Sequence, residues 1–155
     1  MASTCLTFEV PDGWQLFDHR PDVLAVLRPV RDIGWFRTNV IAGRRRVPSG
    51  VSIDDVAHRC LEHLRSRHGE VEILGEVDVE SRGQESFARV IVIDTIRPAA
   101  RVAQLHAVLL GASPDDVTRE IDLYELVGSC VLDELHHHQD AIAHVLATAR
   151  IVDAA

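Results

Sequence analysis

The chain has 155 residues, enough for one domain to bury a full core without disulfide or metal staples, and its three cysteines, Cys5, Cys60 and Cys130, are odd in number and far apart, with no Cys-x-x-Cys pair. A formal net charge of −8 argues against a general nucleic-acid binder, since phosphate neutralisation needs a basic face. No apolar run reaches the roughly 18–20 residues of a membrane span, and no basic region or apolar signal core opens the chain, so a reduced, cytoplasmic setting is expected.

In chain order, Thr4 to Val10 has the alternation of a half-buried strand, ended by a Pro11-Asp12-Gly13 turn. Trp14 and Leu16 start a return strand. Val23 to Arg28 and Trp35 to Ala42 give two more extended segments around Asp32-Ile33-Gly34, the second placing Thr38, Val40 and Ala42 on one side and Trp35, Asn39 and Ile41 on the other.

The plainest helix follows. Ser52 is an N-cap with Asp55 at the third helical position, and Asp54 and Asp55 suit the positive end of the helix dipole. Ile53, Val56, Ala57, Cys60, Leu61 and Leu64 form an apolar stripe, and Gly69 stops the helix after Arg65, Arg67 and His68.

Beyond Gly69 the period changes to two. Val71 to Glu80 reads as a strand kinked at Gly75, and Phe87 to Ile96, apolar on both faces at Val90 to Ile93, as a central strand covered above and below. Arg101 to Leu110 and Val117 to Val127 continue the meander through the turns at Pro98-Ala99 and Ala112 to Asp116. A last helix is expected over about Asp133 to Arg150. Short turns require antiparallel neighbours. The expected fold class is therefore α+β, a single antiparallel sheet of about six to eight strands with helices packed on its faces in an α/β/α sandwich, all within one domain over 1–155.

Candidate chemistry is sparse. Three successive histidines, His136 to His138, fan about 100° apart round a helix and cannot converge on one ion, and His58, His63 and His68 scatter in the same way; His58 and Glu62 make an i, i+4 pair. Gly128-Ser129-Cys130 lacks a nucleophile elbow, Cys60 sits on the apolar stripe, and Asp94 and Tyr124 are candidates for a polar pair across the sheet. No catalytic, cofactor-binding or metal-binding residue is assigned.

Arg44-Arg45-Arg46 is the strongest local charge feature. Followed by Val47-Pro48-Ser49-Gly50, it is expected on a loop where guanidinium groups meet a partner or an anion, although on an extended chain alternate arginines point oppositely. Trp14 and Trp35 are the other candidate contacts, both also suited to the core.

Phe8-x-Val-Pro-x-Gly-Trp14, Asn39-Val40 and the ending Leu146 to Ile151, in this order of elements, resemble the PsbP-like superfamily, which takes in the extrinsic photosystem II protein, the Ran-binding Mog proteins and bacterial DcrB-type and LpqN-type proteins. The likeness is closest to the actinobacterial LpqN type, whose members are typically exported lipoproteins. It implies binding or assembly work and supplies no catalytic residue. The expectation is a cytoplasmic, non-enzymatic domain, monomer or homodimer, that recognises a protein partner and needs no cofactor. The alternatives are a small-ligand or lipid binder, with His106 or Gln104 at the mouth of a pocket between sheet and helix, and a secretion-chaperone-like dimer.

Overall fold

A computed structural model describes residues 4–17, 23–31, 36–78, 86–95, 100–111 and 120–153. Trp35 lies outside the described residues. So do the expected turns at 32–34, 98–99 and 112–116.

The strands β1 (Thr4–Thr7), β2 (Trp14–Phe17), β3 (Ala25–Pro29) and β4 (Asn39–Pro48) precede helix α1 (Ile53–His68). After it come β5 (Val71–Asp78), β6 (Ser86–Thr95), β7 (Ala100–Leu110) and β8 (Glu120–Val131), then α2 (Leu135–Thr148) and β9 (Arg150–Asp153). Seven strands form one antiparallel sheet in the order β2-β3-β4-β8-β7-β6-β5, and β1 pairs with β9 in a separate ribbon.

Helix α1 begins where its cap chemistry directs. The Asp55 backbone N–H donates to Ser52 Oγ at 3.1 Å, and at the other end Gly69, at φ +77°, returns its N–H to the Arg65 carbonyl. Val56 on its apolar stripe packs against Val108, Leu110, Ile121 and Leu123. The opposite face of the sheet carries Val40, Ala42, Tyr124 and Leu126 and is covered by Ile142 and Val145 of α2. Each face is thus covered by one helix, and three consecutive residues of β6, Ile91, Val92 and Ile93, are all buried, Ile91 and Ile93 with Leu64 of α1 packed against their cluster. This is the α/β/α arrangement expected. The kink at Gly75 is also present, as a register shift between Ile73 and Gly75.

Three local readings change. The first strand does not return on β2: Leu6 pairs with Ile151 of β9, and Leu6 and Phe8 pack on the core beneath α2, while β2 pairs with β3 through Leu16 and Leu27. The last helix stops at Thr148, because Ala149 is extended (ψ 131°) and Arg150–Asp153 is committed to β1. The third concerns the arginines. Arg44, Arg45 and Arg46 are strand residues of β4, not loop residues, paired in register with Tyr124, Leu123 and Asp122 of β8.

Candidate functional site

Strand alternation divides the three arginines between the two faces of the sheet. Arg44 and Arg46 lie on the α2 side. Arg44 forks onto Asp122, with Nε and Nη2 at 3.1 and 3.0 Å from Oδ1, and Arg46 Nε stands 3.6 Å from the same oxygen. Asp122 also accepts from Thr4 Oγ1 at 2.9 Å, and the buried Tyr124 hydroxyl donates to the Thr4 carbonyl at 3.1 Å. This network ties the β1–β9 ribbon to β8. Arg45 points the other way, toward α1, and its Nη2 is 2.7 Å from Glu125 Oε1.

The two edges of β4 are unequal. It pairs with β8 along its whole length, from Asn39↔Ser129 to Pro48↔Glu120, but with β3 only from Val40 to Ala42. Among the described residues, nothing pairs with its outer edge from Gly43 to Pro48. Alternate N–H and C=O groups of an antiparallel strand point outward at such an edge and are available to another strand. Arg46 and Arg45, with side chains 60% and 54% exposed, flank that edge on opposite faces.

On the α1 side, Arg45 forms the rim of a cleft of about 590 Å³ between the helix and the sheet. Val56, Val108 and Val127 line its apolar part, and Gln104 and His106 of β7 line it from the sheet side, on its floor and not at the mouth where the small-ligand alternative expected them. His106 Nε2 lies 2.9 Å from Gln104 Oε1, and Gln104 Nε2 donates to Ser129 Oγ at 3.2 Å. Burial, reinforced by the Arg89 charge on the neighbouring strand, holds the His106 imidazole down to about 4, so it is neutral at pH 7. Arg89 is itself buried and donates to the Ala57 carbonyl of α1 at 3.2 Å. Cys60 Sγ stands 3.7 Å from Glu125 Oε1 and 3.9 Å from Arg45 Nη2, and burial and the Glu125 carboxylate push its thiol up. A raised thiol is a poor nucleophile, which agrees with its place on the apolar stripe.

The remaining candidates disperse. Trp14 is half-buried and packs against the core under α2. His136 and His137 are exposed neighbours with ring centroids 3.9 Å apart, while His138 faces Glu134 at 3.6 Å. His58 and Glu62 form the anticipated pair at 3.2 Å. Asp94 and Tyr124 are not neighbours: they pair with Arg101 and Leu109 of β7, eight residues apart, or roughly 26 Å along the strand. Gly128 serves packing, under α2.

Glu125 and the helix residues Arg59 and Arg67, all lining the cleft, escaped sequence reasoning. Glu125 offered a weak signal as a charge between buried strand positions. Arg59 and Arg67 flank the α1 stripe and are indistinguishable in sequence from solvated helix residues.

No family model matches the chain, and no curated protein matches it. Solved structures do. LpqN of Mycobacterium tuberculosis, involved in cell envelope biogenesis, superposes with a TM-score of 0.78 at 12% identity, over 97% of this chain and 85% of that one. Cyanobacterial PsbP (CyanoP) from Synechocystis sp. PCC 6803 gives 0.61 at 15% identity, over 98% and 94%. The Saccharomyces cerevisiae Ran-binding protein Mog1p gives 0.62 at 13% identity, over 99% and 96%. The chain has the PsbP/Mog1-like fold. Among the described residues no helix is long and apolar enough to cross a membrane.

Proposed function

We propose that residues 1–155 form one non-enzymatic recognition domain that binds an acidic, extended segment of a protein partner along the outer edge of β4. The carrying observation is that edge: among the described residues Gly43 to Pro48 pairs with β8 on one side only, and guanidinium groups flank it above and below. Backbone hydrogen bonds to an added strand supply affinity, and carboxylates at alternate positions meet Arg46 on one face and Arg45 on the other. Pro48, with no N–H to donate, limits the edge at its far end. Mog1p, which shares the fold, is a Ran-binding protein, and this supports protein recognition as work the fold can carry. Three unpaired thiols favour a reducing, cytoplasmic compartment. Half-buried Trp14 is a secondary candidate for the contact, and so, from the sequence alone, is Trp35.

The test is a charge reversal. Extended acidic peptides should bind the wild-type chain and lose at least about tenfold in affinity to Arg45→Glu/Arg46→Glu, since each lost charge-assisted hydrogen bond is worth about 1.5–3 kcal/mol. Arg44 is left in place because it holds Asp122. Equal binding by the variant, or a preference for uncharged peptides, contradicts the reading.

A further inference from the structure

The cleft between α1 and the sheet is chemically unlike the rest of the molecule. The chain carries a net charge of −8, yet the cleft is lined by three arginines, Arg45, Arg59 and Arg67, against one carboxylate, Glu125. Glu125 is already engaged by Arg45 at 2.7 Å. Among the described residues, neither Arg59 nor Arg67 has an ion-pair or hydrogen-bond partner for its side chain. The two stand eight residues apart on one side of α1, roughly 12 Å along its axis, with His63 midway between them. Beneath them the cleft is apolar at Val56, Val108 and Val127, and its polar floor is a neutral pair, Gln104 with His106.

We infer that this cleft is a binding site for a small amphipathic oxyanion, whose apolar body lies over Val56, Val108 and Val127 and whose anionic head is held by the guanidinium groups of Arg59 and Arg67. Its volume of about 590 Å³ falls in the range of small-molecule sites, which pair an apolar lining with a few orienting polar groups. Guanidinium forks bind carboxylate and phosphate alike, and the Arg45–Glu125 pair shows a carboxylate already held at the rim. Gln104 and His106 add amide and imidazole groups to the floor without adding charge, so an anion entering the cleft meets no second carboxylate there. The inference does not rest on the reading of the β4 edge: Arg45 and Val47 of that strand border the cleft, but the cations assigned to the head group belong to α1.

The test uses 2-naphthoate, with 2-naphthylmethanol as its uncharged counterpart and inorganic phosphate as a bare head group, followed by amide chemical shifts of the full chain. Naphthoate should saturably move amides of 59–67, 104–108 and 125–127. The alcohol should bind about tenfold more weakly, and Arg59→Gln/Arg67→Gln should lose at least about tenfold in naphthoate affinity. Arg65→Gln, an exposed helix arginine outside the cleft lining, serves as control and should stay within about twofold. Phosphate competing with naphthoate supports a phosphate-headed ligand, and phosphate without effect supports a carboxylate-headed one. Equal affinity for naphthoate and the alcohol overturns the inference. So does an equal loss in Arg65→Gln, or phosphate moving the Arg59 and Arg67 amides while naphthoate moves none.

Discussion

Gly128 of β8 lies directly beneath Ile142 of α2, so close that a β-carbon built on the glycine falls inside the van der Waals envelope of Ile142 Cγ2. The missing side chain lets α2 settle onto the sheet and bury Ile142 and Val145 completely.

Gly128→Ala should therefore destabilise the fold by about 1–3 kcal/mol, the range for forcing extra volume into a packed core. Ile142→Ala removes the colliding methyl but leaves a cavity. The double variant should lose less than the sum of the two singles in urea unfolding, because the added carbon occupies the space vacated. Strict additivity contradicts the contact.

Tyr124 is fully buried, and its hydroxyl reaches across to the Thr4 carbonyl. Tyr124→Phe leaves that acceptor without its donor and should cost about 1–2 kcal/mol. The loss should be local in its dynamics. Amide hydrogen exchange should quicken in 4–7 and 150–153, the β1–β9 ribbon, more than in β7, and a uniform change across the sheet contradicts the assignment.

Much of this architecture was legible in the sequence, and the failures share one cause. Ser52, Asp55 and Gly69 mark α1 because caps are local chemistry, and the doubly apolar Val90 to Ile93 marks a central strand because burial on both faces removes alternation. By contrast, Arg150–Asp153 is a strand only through its pairing with Thr4–Thr7, at the far end of the chain, and nothing local ends the helix at Thr148. Arg44 to Arg46 resembled a loop for the same reason: what makes it a strand is Asp122 to Tyr124, some eighty residues on. The cleft assembles α1, β4, β7 and β8, and only Gln104 and His106, the polar interruptions in the otherwise apolar run Val102 to Leu110, announced it.

His106 should make the fold acid-sensitive over a defined window. Its imidazole is held down to about 4 in the fold against 6.5 ordinarily, first by burial and then by Arg89. Between those values the unfolded chain takes up a proton that the folded chain refuses, so stability present above pH 6.5 is lost as the pH falls toward 4. The loss saturates below that and totals about 3 kcal/mol. A histidine titration by NMR should place the His106 midpoint below 5. A midpoint near 6.5 contradicts the buried, neutral assignment.

The proposed docking strand is the outer edge of β4. Hydrogen exchange at Gly43 to Val47, measured with and without a saturating acidic extended peptide, tests it directly. Outward-facing amides of this stretch should slow by at least about tenfold on binding, while those of the opposite sheet edge, β5, should not change, because new backbone hydrogen bonds form only where strands join. Peptide binding that leaves these amides exchanging at their original rate, or that protects β5 instead, would contradict it.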